Sequence, residues 1–243
     1  MKTIGVIPAR YSSTRLPGKM LAEIHGKPLI QWVWENIIKS KKLDDIIIAC
    51  DDEKVLNSIK KFGGRSVMTD PSLLSGTDRV AAVVKDMDVD VVVNIQGDEP
   101  MMPSNVIDKL VDVFTDKNDV VMATAVKVLK DKNEIQNPNV VKAVLDNSKN
   151  AIYFSRSPMP YLRDQNDLPL ARYYKHLGVY AYKKDFLIKY TKMEQTMLEK
   201  VEKLEQLRVV ENGYKIKVIQ TDFDSIGVDT LEDLERVREL LAG

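Results

Sequence analysis

The chain has 243 residues, with 36 Lys+Arg against 36 Asp+Glu, and 44% of it is apolar. That charge balance offers no global field for nucleic acid or an anionic membrane surface, and no apolar run reaches the ~20 residues a bilayer span needs. A single cysteine, Cys50, excludes an intramolecular disulfide, and with only two histidines the chain is poorly supplied for a zinc site.

A chain of this length makes one large domain, or one domain with an elaborated insertion, and buries roughly 70–75% of its unfolded surface. Its first residues, Met1-Lys2-Thr3-Ile4-Gly5-Val6-Ile7-Pro8, are too short an apolar stretch for a signal peptide and predict a buried strand over 3–8. The expected location is the cytoplasm. The strand runs into Ala9-Arg10-Tyr11-Ser12-Ser13-Thr14-Arg15-Leu16-Pro17-Gly18-Lys19. Three cations and three hydroxyls in the loop after strand one suit a polyphosphate; a solvated basic surface loop is the plainer reading. It is neither a Walker loop nor a dinucleotide fingerprint, because the required glycines are missing.

Pro28 suits the first turn of a helix in which Leu29, Ile30, Val33 and Ile37 recur at helical spacing, so Trp32 and Trp34 read as packing. His25, in the preceding turn, is assigned no role. A second strand over 45–50 ends at Cys50, a small core residue, and Asp51-Asp52-Glu53 opens a helix to about 62. Acids at a helix N-terminus are explained by the macrodipole, so this pair reads as structural. A short strand over 66–69 precedes Ser75-Gly76-Thr77-Asp78-Arg79, which either caps the helix over 80–87 or presents free N–H groups and the Arg79 fork to a base or phosphate.

Asp90-Val91-Val92-Val93-Asn94-Ile95-Gln96-Gly97-Asp98-Glu99-Pro100 is the stretch on which the chain turns. Its β-branched run predicts a strand buried on both faces. It stops at a glycine and a proline with two carboxylates between them. Ligands of open α/β sheets bind beyond the carboxyl ends of the strands, so Asp98 falls where a phosphate-bound Mg²⁺ wants hard oxygen ligands. A helix capped by Ser104 runs over 104–114. Extended segments follow at 120–128, 140–146 and 151–154, the last two joined by the hairpin signal Asn147-Ser148-Lys149-Asn150. Here strand–helix alternation gives way, which marks an insertion around 120–185.

A polar loop over 164–169 leads to a strand over 177–182, with Tyr180 and Tyr182 on one face and His176 at its start. A helix over 198–210 carries Leu204-Glu205-Gln206-Leu207-Arg208, with Val201, Leu204 and Leu207 as its apolar stripe. A last strand over 215–220 precedes Gly227-Val228-Asp229-Thr230 and a capped helix to 241. Asp229 is a second acid at the mouth of the sheet. A cationic loop and two acids suit metal-assisted attack on a nucleoside triphosphate, with Arg10, Arg15 and Lys19 neutralising departing pyrophosphate.

Seven blocks, from Ile7-Pro8-Ala9-Arg10 through Leu16-Pro17-Gly18-Lys19, then Ser75–Arg79, Gln96–Pro100, Phe154-Ser155-Arg156, His176–Tyr180, Leu204–Arg208 and Gly227–Thr230, resemble the 3-deoxy-manno-octulosonate cytidylyltransferase (CMP-Kdo synthetase) family in order and across the whole chain. The resemblance implies an α/β, Rossmann-like nucleotide-diphospho-sugar transferase fold with a mostly parallel central sheet, an antiparallel insertion subdomain and a homodimer. It implies that CTP and the sugar acid Kdo become CMP-Kdo and diphosphate, for lipopolysaccharide biosynthesis. By matching position, Arg10, Lys19, Asp98 and Asp229 carry catalysis, and Asp98 and Asp229 hold Mg²⁺. Pro8, Ala9, Arg10, Ser13, Lys19, Gly76 and Arg79 bind CTP. Arg15, Gln96, Arg156, His176, Tyr180, Glu205 and Gln206 line the sugar site.

One departure stands out: many members carry an acid and a histidine before Ser-Gly-Thr, where this chain has Asp70-Pro71-Ser72-Leu73-Leu74. If that loop meets the sugar tail, the implied substrate becomes a modified acid such as 8-amino-Kdo. Against the same chemistry on a sialic-type acid, the Gln96–Pro100 and Leu204–Arg208 blocks favour Kdo. An inactive nucleotide-binding module that keeps the fold would be marked by loss of Asp98, Asp229, Lys19 or Arg10, and none is lost.

Overall fold

The computed structural model describes the chain except residues 14, 116–118, 165, 167–170, 225 and 243; Thr14 and most of the polar loop expected over 164–169 therefore lie outside the described residues. In chain order the elements are β1 (Thr3–Ala9), β2 (Glu23–Ile24), β3 (Lys27–Pro28), α1 (Leu29–Ile37), β4 (Asp45–Cys50), α2 (Glu53–Lys61), β5 (Ser66–Met68), α3 (Gly76–Val84), β6 (Val91–Asn94) and α4 (Ser104–Asp112). Then come β7 (Met122–Leu129), α5 (Lys132–Gln136), β8 (Lys142–Leu145), β9 (Ala151–Ser155), β10 (Tyr173–Lys183), α6 (Lys184–Tyr190), α7 (Met197–Glu202), α8 (Leu207–Glu211), β11 (Ile216–Gln220) and α9 (Leu231–Leu241).

The sheet runs β11-β7-β10-β6-β1-β4-β5, and β8 and β9 branch from β10. Pairing is parallel throughout that path except at β10, which runs against both β6 and β7. Period-two alternation sorts the central strands between two cores. Ile7 and Ala9 of β1 with Val91 and Val93 of β6 meet α1, α4 and α9, through residues such as Ile30, Ile107 and Leu234. Ile4, Val6 and Val92 face the other way onto α3, α6 and α8, through Val80, Phe186 and Leu207. Both faces of β1 and β6 are thus covered, which is why they read as continuous apolar runs. No described helix is long and apolar enough to cross a membrane.

Three expectations change. The stretch set apart as an insertion, 120–185, is too wide: β7 and β10 are full members of the central sheet, and only the β8–β9 hairpin branches off. The helix expected over 198–210 is two helices, because Lys203 takes a left-handed conformation (φ 55°) that ends α7. Val201 is accordingly 72% exposed, while Leu204 and Leu207 stay in the core. Pro103, not Ser104, holds the cap position of α4, and Ser104 is its first helical residue. The packing roles of Trp32, Trp34 and Cys50 stand as expected. His25 is exposed, with Nε2 2.8 Å from the Arg238 carbonyl oxygen.

Candidate active site

The site forms where the carboxyl ends of β1 and β6 meet the start of α9. Past β6, Ile95 N–H donates to Val6 O at 3.0 Å, and the chain then turns at Gly97. A Cβ at Gly97 would lie 2.7 Å from the Pro8 carbonyl oxygen, so only glycine lets this loop pass so close to β1. The Asp98 carbonyl in turn accepts Val228 N–H at 2.9 Å, which ties the loop carrying the first acid to the loop carrying the second. Thr230 and Asp233 form a capping box at the start of α9, and Asp233 also accepts the Asp229 amide at 3.0 Å. Both acids are therefore fixed through their backbones.

Lys19 follows Gly18, whose φ of 69° turns the loop back into the cleft. Its Nζ lies 2.6 Å from Asp98 Oδ2 and 3.1 Å from Asp229 Oδ1, and Arg15 Nη2 lies 2.9 Å from Asp229 Oδ2. Burial disfavours the Lys19 ammonium, but Asp98 and then Asp229 together outweigh it and hold its pKa above the usual 10.5. Two carboxylates this close need a shared cation. Lys19 supplies it.

These residues line a cleft of about 650 Å³. Pro8, Arg10, Ser13 and Gly76 of the expected nucleotide set are on its wall, with Lys19, Asp98 and Asp229. Arg15 and Gln96, expected on the sugar side, are on it too. Tyr11, Ser12 and Met20 also line it and carried no assignment. Three cations face two carboxylates, leaving the wall short of negative charge.

Ala9 is fully buried, so its backbone is the part that can serve a ligand. One nucleotide assignment changes. Arg79 is also fully buried and off the cleft wall. Its Nη2 pairs with Asp51 Oδ2 at 3.0 Å, and its Nη1 donates to Thr69 Oγ1. A guanidinium so enclosed reads no base directly. Burial lowers its pKa against the opposing pull of Asp51.

Arg156, His176, Tyr180, Glu205 and Gln206 lie outside the cleft wall. His176 and Tyr180 touch, with ring centroids 5.4 Å apart, and Phe154 stacks edge-on against His176 at 4.9 Å. A register shift in β10 between Leu177 and Tyr180 lets Thr124 Oγ1 donate to the Val179 carbonyl at 2.8 Å while standing 3.0 Å from His176 Nε2. Burial drives the His176 pKa down to about 3, so the ring is neutral at physiological pH. Burial, then Glu205 and Glu99, push the Tyr180 hydroxyl well up.

Hydrogen bonds link this side to the cleft: Gln96 Nε2 donates to the Gly178 carbonyl at 2.9 Å, and Thr77 Oγ1, next to the wall residue Gly76, donates to Glu205 Oε2 at 2.8 Å. Gln206 is buried at the start of α8. Arg156 ties two distant segments together, with Nε and Nη1 donating to the Glu202 and Pro138 carbonyls at 2.9 and 3.1 Å.

Among the described residues no group of three or more His, Cys, Asp or Glu could hold a metal. The pair Asp98 and Asp229 does fit Mg²⁺, which takes one or two carboxylates and completes its shell with water and substrate phosphates. Each lends an oxygen to the single point where Lys19 Nζ now sits.

The family model described as Cytidylyltransferase matches residues 4–216. Curated relatives named 3-deoxy-manno-octulosonate cytidylyltransferase include that of Fusobacterium nucleatum, 50% identical over 98% of this chain and 96% of its own, and that of Geotalea daltonii, 46% identical over 99% and 98%. The chain belongs to the 3-deoxy-manno-octulosonate cytidylyltransferase family. A solved structure of CMP:2-keto-3-deoxy-manno-octonic acid synthetase complexed with CTP superposes with a TM-score of 0.94 at 40% identity, covering 100% of this chain and 99% of that one. A cytidylyltransferase from Leptospira borgpetersenii, at 18% identity and a TM-score of 0.67, shares the fold.

Proposed function

We propose that this protein transfers a cytidylyl group from CTP to Kdo, releasing diphosphate, with Mg²⁺ held by Asp98 and Asp229. The observation that carries the reading is the convergence of Lys19 on both carboxylates inside a cleft that also presents Arg10, Arg15 and Ser13. The anomeric hydroxyl of the sugar attacks the α-phosphorus, the new O–P bond forms, and the bond to the bridging oxygen of the β-phosphate breaks. Diphosphate leaves with that electron pair, and the hydroxyl proton passes to solvent. Arg10 and Lys19 bind the departing phosphates and neutralise the charge that builds on them. Bound Mg²⁺ would supply Lewis-acid polarisation of the α-phosphate.

The sugar acid reaches the cleft past Gln96, from the side of His176, Tyr180 and Glu205. With Nε2 of the neutral His176 engaged by Thr124, Nδ1 is the ring nitrogen left to accept from a sugar hydroxyl. Arg15, at the rim, is exposed enough to meet the sugar carboxylate, and Arg156 is the second cation on that side. In the 70–74 loop the Leu74 carbonyl accepts Arg10 Nη1 at 3.3 Å. That tie to the phosphate loop favours Kdo over an 8-amino sugar, because it keeps the departing segment on the nucleotide side. A homodimer paired through the β8–β9 hairpin, a cytoplasmic location and a role in lipopolysaccharide assembly complete the proposal.

The test is diphosphate release from CTP and Mg²⁺ with Kdo, 8-amino-Kdo and a sialic acid side by side. Turnover with Kdo, lost on adding EDTA, is expected. A preference for the amino sugar would make Leu73 and Leu74 specificity residues. Silence with all three would leave a nucleotide-binding module.

A further inference from the structure

The end of β4 holds a carboxylate that the reaction scheme does not use. Asp51 is buried, and its two oxygens divide their work. Oδ1 accepts the Tyr11 amide at 2.9 Å, and Oδ2 pairs with Arg79 Nη2 at 3.0 Å. Across 3.9 Å the same Oδ2 faces Arg10 Nε, which is buried without a hydrogen bond. Thr69 extends the group: its Oγ1 receives Arg79 and donates to the Cys50 carbonyl at 2.8 Å, the residue before Asp51.

One carboxylate thus stands between two guanidiniums of different situation. Arg79, wholly enclosed on α3, takes the ion pair and has its charge cancelled. Arg10, 41% exposed at the cleft, keeps a looser 3.9 Å pair with the same oxygen, so much of its charge stays available to an incoming anion. The Tyr11 amide bond fixes the backbone of the residue next to Arg10, so it sets where Arg10 leaves β1. A helix-opening acid needs neither partner. The cap of α2 is made by the next residue, Asp52, whose side chain accepts Lys54 N–H.

We infer that Asp51 and Arg79 are positioning residues for triphosphate binding: together they hold the Arg10–Tyr11 segment in register with the cleft and leave Arg10 the more loosely paired of the two guanidiniums. The inference rests on the cytidylyl-transfer reading. It gives Arg79 a role in nucleotide use through the loop it anchors, without contact with the base.

The experiment is steady-state diphosphate release with CTP and Kdo each varied, on Asp51→Asn, on the pair Asp51→Ala/Arg79→Met, and on Asp52→Asn. The paired variant leaves no unmatched buried charge, so its melting temperature is expected near wild type. Its KM for CTP is expected to rise about tenfold or more, the scale of a lost hydrogen bond to a charged group, with the KM for Kdo within about twofold. Asp51→Asn keeps an acceptor for Tyr11 and loses the charge; the same split, with a smaller rise, is expected, and it carries the test if the paired variant does not fold. Asp52→Asn keeps an acceptor for the Lys54 N–H that caps α2, so the melting temperature and both KM values are expected to stay near wild type. An unchanged KM for CTP in a folded Asp51 variant, or equal rises for both substrates, overturns the inference. A wild-type protein that releases no diphosphate with any sugar acid instead overturns the functional reading.

Discussion

The cleft at the ends of β1 and β6 and the aromatic cluster on β10 are built from opposite materials. The cleft side is charged, partly open, and assembled from loops that leave parallel strands, with Lys19 neutralising two carboxylates at 2.6 and 3.1 Å. The β10 side is neutral and packed, with His176 held beside Thr124, Phe154 and Tyr180. Phosphate chemistry calls for fixed charge with water at hand, whereas a sugar is recognised through hydroxyls by groups with both donors and acceptors. The two regions touch through side-chain hydrogen bonds that include Gln96 to Gly178 and Thr77 to Glu205. The proposed function then predicts a division of labour: phosphate-facing cleft residues set turnover and CTP use, and cluster residues set sugar use.

The sharpest way to break that division is at the acids. Asp98→Ala and Asp229→Ala each lower kcat by about 10²–10³-fold or more, with the far-UV circular dichroism of the wild type; near-normal turnover in either would remove that residue from the metal pair. Chelation by EDTA gives a comparable loss, and Mg²⁺ restores it. Next in size is Thr77→Val, which strands Glu205 beside Tyr180. The KM for Kdo is expected to rise about tenfold, as for a lost hydrogen bond to a charged group, with the KM for CTP unmoved. Equal changes in both would merge the two regions into one.

His176 offers a comparison on a pH axis. Its folded pKa, about 3, lies below the ordinary 6.5, so the unfolded chain binds a proton that the folded chain refuses between those values. The stability from the neutral ring is complete above pH 6.5 and drains away as the pH falls toward 3. His176→Asn is expected to flatten the fall of melting temperature across that window, and an unchanged slope would place the proton elsewhere. The smallest effect belongs to Leu74, 88% exposed, whose side chain reaches solvent while its carbonyl meets Arg10. Leu74→Gln should change stability by no more than about 0.5 kcal/mol and leave the ranking of sugar acids as it was.

The two regions also differ in how far the sequence discloses them. Arg10, Asp98 and Asp229 are legible because each sits just past an apolar run or before a helix start, where local pattern locates the mouth of a parallel sheet, and Lys19 because it belongs to the cationic loop that leaves β1. The same logic misplaced Arg79: a capped helix start was visible, but nothing local shows that Asp51, 28 residues earlier, closes over it. The insertion was drawn too wide because β10 pairs backwards between β6 and β7, a pairing that depends on partners about 50 to 90 residues away. The break at Lys203 was hidden for another reason, since lysine has good helix propensity and only its left-handed backbone ends α7. Tertiary pairing decided the first two, and a single backbone conformation the third.

The most direct test of the divided site is a kinetic comparison of Arg10→Ala with His176→Asn, each measured with CTP and with Kdo as the varied substrate. Arg10→Ala is expected to raise the KM for CTP about tenfold or more and to spare that for Kdo, while His176→Asn does the reverse. If both variants shift both constants alike, the cleft and the cluster are not separate recognition sites and the division of labour fails.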